Sequence, residues 1–188
     1  MGTVSTNQFR KRLRIMVDGE PWAIVDNEFV KPGKGQAFNR VKIKNMLTGK
    51  VIERTYKSGI TVEEADVSFK TMQYLYNDGT NWSFMDNTTF EQIEIDKNTL
   101  DGVENWLLDN TDCELAFWED RVISVTPPIF MNLEIKYTEP TVKGNTATNV
   151  TKDATLETGA IVKVPLFLEQ GMKVKVDTRS GEYVERAK

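Results

Sequence analysis

Turn signals punctuate this chain about every ten to fifteen residues, and they leave room only for short strands between them. Within these segments apolar residues recur at every second position, as at Leu13, Ile15 and Val17. A period of two places such residues on one face of a strand. Asp18-Gly19, directly after this run, is typical of a two-residue hairpin. The pattern predicts an all-β chain with little helix, built from several small units.

Composition sets the class of protein. The chain has 188 residues, of which 39% are hydrophobic and 28% are charged. This length suits one large domain or two to three small ones. It contains no run of about eighteen apolar residues, and MGTVSTNQFRKRLR lacks the apolar region of a signal peptide. We therefore expect a protein of the cytoplasm that does not associate with a membrane, and we also expect a monomer.

Histidine and cysteine usage excludes several catalytic classes. With no histidine and only Cys113, the chain cannot form a Cys/His zinc site, a Ser-His-Asp triad or an internal disulfide. We expect Cys113 to be a small, partly buried residue. No pair of acidic residues lies in a recognisable catalytic motif. Catalysis by paired carboxylates stays open from composition alone, but we expect no metal, no cofactor and no catalytic residue.

The turns divide the chain into three predicted units, residues 1–64, 65–127 and 128–188. Each alternates short strands with turns, and the rhythm of the last two is typical of small oligonucleotide-binding (OB) barrels. Thr126-Pro127-Pro128 is the natural linker between them, because proline cannot donate to a sheet ladder. We expect Asp101 to cap a short helix in GVENWLLDN and KGNTATNVTKDATLETG to form a polar loop. Three tryptophans are expected to pack in cores: Trp82, Trp106 and Trp118.

Charge is distributed unevenly over these units. The first carries 12 Lys and Arg against 7 Asp and Glu, the second 3 against 13, and the third 9 against 8. Phosphate binding depends on local Lys and Arg density, so this layout predicts that the first unit meets phosphate. Solubility alone would explain the acidic middle, but it would not explain the basic end.

The segment Val30–Phe38, VKPGKGQAF, places one lysine between two glycines after a proline. Pro32 and Gly33 fit the two central positions of a type II turn. Apolar flanks then predict a hairpin with Lys34 at its tip, held roughly 15 Å from the domain. An ordinary solvated turn is the alternative. The glycine spacing of a P-loop is absent, and an exposed lysine stays protonated, so Lys34 is better interpreted as a cation, a donor or a modification target.

A basic strand face follows the loop directly. Arg40, Lys42 and Lys44 alternate with Val41 and Ile43, so the three cations share one face of the predicted strand. Such a face could contact the sugar-phosphate backbone of RNA, which positions a protein without reading sequence. A solvated strand face is the alternative for any one of these residues.

The whole chain resembles bacterial elongation factor P, in the branch with a lysine at the tip of a KPGKGQAF loop. The resemblance rests on FVKPGKGQAF, on the TPP linker and on VDTRSGEYVERA. In the third unit eight further residues fall at the family's spacing: Lys152, Ala154, Gly159, Val162, Val164, Pro165, Leu168 and Gly171. It implies an SH3-like first domain and two OB-type barrels, arranged as an L that mimics transfer RNA.

The resemblance also implies a function that is not enzymatic. The family binds both ribosomal subunits between the peptidyl and exit sites, where it contacts peptidyl-tRNA and rescues stalls at consecutive prolines. A lysyl-transferase that recognises Lys31, Pro32, Gly33 and Gly35 is implied to add a β-lysyl group to Lys34. Two residues match positions near the small subunit and the anticodon stem: Tyr183 and Arg186.

Two other functions remain open from the residues themselves. The same barrels would suit a generic RNA-binding or RNA-chaperone protein. More distantly, a β-rich enzyme could use Lys34 as a base. Modification of Lys34 in the native host would favour the translation factor over both, and a specific loss of polyproline synthesis would separate it from a chaperone.

Overall fold

The structure, a computed structural model, describes residues 2–140 and 150–187. Within these residues it contains sixteen strands, one α-helix and two short 3-10 helices. The prediction of an all-β chain built from small barrel-like sheets is confirmed. In the described part of the chain, no helix has both the length and the apolar character needed to cross a membrane.

The N-terminal part forms a four-stranded sheet in the order β2-β3-β4-β5 and a two-stranded sheet that pairs β1 with β6. The strand bounds are β1 Thr3–Ser5, β2 Arg14–Val17, β3 Glu20–Val30, β4 Phe38–Asn45, β5 Val51–Lys57 and β6 Thr61–Glu63. Asp18 and Gly19 connect β2 to β3 with φ angles of 54° and 80°. Both angles are positive, as the predicted two-residue hairpin requires.

The core of this part follows from the alternation along its strands. Every second residue of β4 is buried, and the same holds for β2. A 3-10 helix at Thr6–Gln8 leads from β1 into the chain that enters β2. The buried side chains form one cluster: Val4, Phe9, Leu13, Ile15, Val17, Trp22, Ile24, Val41 and Ile43.

The middle part contributes a five-stranded sheet in the order β11-β10-β7-β8-β9. Its strands are β7 Val67–Asn77, β8 Asn81–Asp86, β9 Gln92–Asp96, β10 Asp112–Trp118 and β11 Arg121–Thr126. Glu119 and Asp120 adopt φ angles of 50° and 61° between β10 and β11, and these positive angles are typical of a two-residue hairpin. Of the three tryptophans, Trp118 is buried, whereas Trp82 and Trp106 are half-buried.

The predicted helix cap was wrong. Helix α1, Lys97–Leu100, ends before the predicted helical segment begins, and its cap is the Asp96 carboxylate, which accepts a hydrogen bond from the Thr99 amide at 2.9 Å. Asp101 instead ends α1 in a left-handed conformation with φ of 48°, which Asp tolerates because of its short polar side chain. Beyond it, Val103–Trp106 forms a 3-10 helix.

The C-terminal part forms a second five-stranded sheet, in the order β14-β13-β12-β15-β16. Its strands are β12 Phe130–Thr138, β13 Thr151–Leu156, β14 Ile161–Pro165, β15 Lys173–Asp177 and β16 Glu182–Arg186. Because β13 occupies TKDATL, the predicted polar loop was too long at its C-terminal end. Residues 143–149 of that loop lie outside the described residues.

The chain divides into two compact units, Met1–Lys70 with Leu115–Ser124, and Thr71–Glu114 with Val125–Lys188. In the second unit the core of the C-terminal sheet includes Leu133, Leu156 and Val174, and Trp106 and Leu108 pack against it. The three predicted domains are not the same partition as these two units. Their bounds at residues 64 and 127 therefore stay a prediction.

Candidate nucleic-acid interface

The Lys34 loop joins the two longest paired strands of the N-terminal sheet. Val30, the last residue of β3, pairs with Phe38, the first residue of β4, so the loop comprises residues 31–37. Lys34 lies at its centre and is exposed, as are Lys31 and both flanking glycines. The predicted hairpin with Lys34 at its tip is confirmed.

The predicted type II turn is wrong. Gly35, not Gly33, takes the positive φ, at 110°. The arm after Lys34 is also held from outside the loop, because the Ser58 amide donates to the Ala37 carbonyl at 2.9 Å and the Gln36 side-chain amide donates to the Ser58 carbonyl at 3.4 Å. This anchoring to the end of β5 fixes where the chain must reverse, and the reversal falls at Gly35.

The loop cations are available to a partner. Within residues 2–140 and 150–187, neither Lys31 nor Lys34 forms an ion pair. A phosphate that approached this loop would meet two charges with no carboxylate to displace. The loop therefore suits contact with a polyanion, and the roles of Lys31, Pro32, Gly33, Lys34 and Gly35 remain predictions.

A pair of side-chain amides, one buried and one half-buried, stabilises the base of this hairpin, and the sequence analysis missed it. Asn39 donates through Nδ2 to Asn27 Oδ1 at 2.9 Å, and Asn27 donates through its own Nδ2 to the Phe9 carbonyl at 3.0 Å. Asn39 is only 3% exposed. The signal in the sequence was an asparagine at an inward position of β4, where alternation with Val41 and Ile43 calls for an apolar residue.

The predicted basic face exists, but it is mixed in charge. Arg40, Lys42 and Lys44 are all exposed and alternate with buried residues along β4. Arg40 forms ion pairs with acids of both neighbouring strands, at 3.3 Å to Glu28 Oε2 and 3.6 Å to Glu53 Oε1. Such exposed pairs contribute little to stability and can be exchanged for other partners.

Lys42 also lies between carboxylates. It pairs in register with Asp26 of β3 and Glu53 of β5. Lys11, which lies 3.1 Å from Asp26, lowers the pKa of that carboxyl most, and Lys42 lowers it further. Lys44, by contrast, pairs in register with Ala23 and Val51. Lys44 is thus the cation of this face without an acidic neighbour in register.

Tyr183 and Arg186 lie on β16 in the second compact unit. Tyr183 is half-buried and packs against the core of the C-terminal sheet, so part of its role is structural. Arg186 is exposed, and it pairs in register with Val174 of β15. An RNA contact by either residue stays a prediction.

Neither metal chemistry nor thiol chemistry finds support in the described residues. In residues 2–140 and 150–187, no group of three acidic, cysteine or histidine side chains is placed to hold a metal ion. Cys113 is 1% exposed, and burial raises the pKa of its thiol to about 12. A thiol that stays protonated at neutral pH is a poor nucleophile.

Comparisons with known proteins assign the family. Three consecutive family models match: the elongation factor P KOW-like domain over residues 5–62, the elongation factor P OB domain over 67–125 and the elongation factor P C-terminal domain over 131–186. All three describe parts of a translation factor.

Solved structures agree with this architecture. The eukaryotic translation initiation factor 5A from Methanococcus jannaschii is 25% identical, with a TM-score of 0.53, over 67% of this chain and 92% of that one. A translation initiation factor eIF-5A family protein from Naegleria fowleri shares the fold at 13% identity and a TM-score of 0.50, over 66% of this chain and 97% of that one. The three family models together leave only short segments unmatched, and the chain belongs to the elongation factor P family.

Proposed function

We propose that this protein is a lysine-tipped elongation factor that binds the ribosome between the peptidyl and exit sites and promotes peptide-bond formation at consecutive prolines. The observation that carries the proposal is Lys34, exposed at the centre of a loop whose two lysines form no ion pair among the described residues. Membership of a family of translation factors supports the ribosome as the partner.

The chemistry of proline explains why such a factor is needed. Proline is a constrained amine with a fixed φ, so the reacting groups of two successive prolines are poorly aligned. Much of the rate of a bimolecular reaction depends on holding its partners in a productive geometry. A factor that holds the acceptor end of peptidyl-tRNA restores this alignment without itself making or breaking a bond.

The length of the tip is part of the proposal. A lysyl-transferase would join an activated β-lysyl carboxyl to Lys34 Nζ as an amide, with loss of a proton from the amine and departure of the activating group. The product carries two amines where there was one, and it reaches further from the loop. Because the binding surface and the tip are separate, ribosome affinity and stall relief should respond to different substitutions.

The experiment is a purified translation reaction on a message that encodes three consecutive prolines. Its inputs are the modified wild type, the unmodified wild type, Lys34→Arg and Lys34→Ala, with Lys50→Arg as a matched substitution at another exposed lysine. We expect both Lys34 variants to fold and to bind ribosomes nearly as wild type but to leave the stall in place. Arginine keeps the charge, yet its guanidinium cannot accept the lysyl group and differs from ammonium in shape and hydration.

Full activity of the unmodified protein or of Lys34→Arg would show that modification of Lys34 is not required for stall relief. A positively charged residue at the tip of the loop would then be sufficient. Absence of stall relief by the modified wild type, with duplex annealing by the same protein, would favour the RNA chaperone instead. An intact mass of the protein from its own host identifies the adduct directly.

A further inference from the structure

A second cluster of cations lies outside the loop and the β4 face. Arg10, Lys11 and Arg12, here called the cationic turn, are consecutive and all exposed. A buried residue precedes them and another follows them in the sequence, since Phe9 and Leu13 are each 7% exposed and belong to the N-terminal core. Three adjacent charges are thus presented on a short segment with both ends fixed.

Backbone hydrogen bonds hold the cationic turn in one conformation. The Leu13 amide donates to the Arg10 carbonyl at 3.2 Å and closes the turn. The Arg12 amide donates to the Ile24 carbonyl at 2.8 Å and ties it to β3. A rigid backbone reduces the entropy that is lost when the side chains bind a ligand.

Arg12 occupies a backbone position that favours glycine. Its φ is 70°, in the left-handed region, where the Cβ of an L-residue is crowded. Residues held in such conformations are concentrated at functional sites. Because this backbone conformation disfavours arginine, we take the presence of Arg12 here as a sign that its side chain has a function.

Two charges of the cationic turn are free. Lys11 is paired with Asp26, but Arg10 and Arg12 form no ion pair within the part of the chain that the structure describes. Arg14, two residues further on, differs because its guanidinium lies 4.2 Å from the centre of the Phe69 ring. Free guanidinium groups match phosphate oxygens in a bidentate geometry.

We propose that Arg10 and Arg12 bind phosphates of RNA and extend the contact surface of this factor from the β4 face to the cationic turn. The two surfaces adjoin, since Asp26 interacts with both Lys11 and Lys42. The proposal rests on the proposed ribosome-binding function. The cationic turn also adds two uncompensated charges to a surface on which acids already compensate Arg40 and Lys42 of the β4 face.

The residues around the cationic turn indicate that phosphate binds to its outer surface. The cleft beside Arg10 and Arg12 is also lined by Glu64 and Asp66, whose carboxylates repel a phosphate. A partner with many phosphates on an extended backbone can touch the outer surface without entering that cleft. The excess of 12 Lys and Arg over 7 Asp and Glu in residues 1–64 favours the same polyanion.

The test measures ribosome affinity against salt concentration for Arg10→Gln, Arg12→Gln and Arg12→Gly. Lys50→Gln, which removes an exposed charge from the turn between β4 and β5, is the matched control. We expect each arginine variant to lower the slope of log affinity against log salt by about 0.7 to 0.9, the value of one phosphate contact. The slope of Lys50→Gln should equal that of wild type.

Arg12→Gly separates binding from folding. It removes the charge and relieves the positive φ, so its melting temperature should equal or exceed that of wild type while its salt slope falls. Unchanged slopes in all three variants, with normal stall relief by wild type, would overturn this inference alone. Weaker binding with an unchanged slope would also overturn it, since contact with a protein would then explain the loss. Failure of wild type itself to bind ribosomes would instead reject the proposed function.

Discussion

Arg40 and Glu28 face each other across β3 and β4, with Arg40 Nη1 3.3 Å from Glu28 Oε2. The same guanidinium reaches Glu53 on the other side, at 3.6 Å from Nε. Arg40, the first cation of the predicted basic face, therefore already has two partners. Since both acids are well exposed, these contacts are weak, and a phosphate would compete with them for Arg40.

Removal of these competing acids should strengthen ribosome binding. In the double variant Glu28→Gln and Glu53→Gln, Arg40 keeps its position but loses both carboxylates, and no buried group is disturbed. We expect affinity to rise at low salt by about 1.4- to fivefold for each pair lost, which corresponds to roughly 0.2 to 1 kcal/mol per exposed pair. Equilibrium binding to ribosomes measures the change.

The control is Glu91→Gln with Glu169→Gln, which alters net charge equally at exposed positions outside the N-terminal sheet. Addition of Arg40→Gln to the first pair should cancel its gain. If the gain persisted without Arg40, the increase would come from general charge, and Arg40 would have no part in binding.

Cys113 should be inert in the folded protein. At pH 8 we expect a thiol reagent to modify it much more slowly in native protein than in unfolded protein, because its thiol is buried and protonated. The folded pKa, about 12, lies above the unfolded value near 9. The proton is thus bound more tightly in the folded state, so this contribution to stability is complete below pH 9 and is lost between pH 9 and 12.

Cys113→Ala provides the comparison for the alkaline range. Without the thiol, the free energy of unfolding should fall less steeply between pH 9 and 12 than it does in wild type. Denaturant titrations at several pH values measure both slopes. Equal slopes would mean that another group, such as Tyr56 or Tyr74, whose pKa values are also raised by burial, controls alkaline unfolding.

Truncation should affect the two compact units differently. Deletion of residues 129–188 removes the core against which Trp106 and Leu108 pack, and it exposes both side chains. We expect the amides of β4 to keep their protection from hydrogen exchange, whereas those of β8 lose most of theirs. Equal protection of both strands would show that the central strands fold without the C-terminal sheet.

The same truncation tests the role of the C-terminal part in binding. We expect the fragment to bind ribosomes poorly, because Tyr183 and Arg186 are absent, while Lys34 remains a substrate of the modifying enzyme. Full rescue of polyproline synthesis by the fragment would refute anchoring by these two residues. Lys34 modification is followed by intact mass.

Sequence patterns were sufficient to predict those features of the fold that depend on residues close together in the chain. Alternation predicted the buried and exposed faces of β4, and Asp18-Gly19 predicted the hairpin between β2 and β3. The predicted cap failed because the segment after Asp101 forms only a 3-10 helix with Gly102 at its N-cap, and because Asp101 itself ends a separate helix, α1.

The features that sequence reasoning missed depend on strand register. Glu28 and Glu53 neutralise Arg40 only because the pairing of β3, β4 and β5 places Glu28 directly opposite Arg40 and Glu53 diagonally across from it on the same face. Asn39 finds its partner Asn27 by the same pairing. The turn geometry around Lys34 was misjudged because Ser58, far along the chain, anchors one arm of the loop.

The two glycines beside Lys34 offer the most sensitive test of the loop. Gly35 has φ of 110°, so an alanine there is strained, at a cost of about 1 to 3 kcal/mol unless the loop rearranges. Gly33 has no such angle, and an added Cβ there would meet nothing within 4 Å. Gly33→Ala therefore serves as a matched control with the same change in composition, at the same exposed tip.

We expect Gly35→Ala to relax its strain by moving the loop, because neither Lys31 nor Lys34 forms an ion pair within residues 2–140 and 150–187 that would hold the loop in place. Amide chemical shifts of residues 31–37 should change in Gly35→Ala and remain near the wild-type values in Gly33→Ala. Lysyl transfer to Lys34 and relief of polyproline stalls should fall in the first variant, whereas ribosome affinity stays near wild type in both. Equal loss of activity in the two variants would mean that the modifying enzyme requires the absence of side chains on both sides of Lys34. The backbone conformation at Gly35 would then not be the feature that positions Lys34.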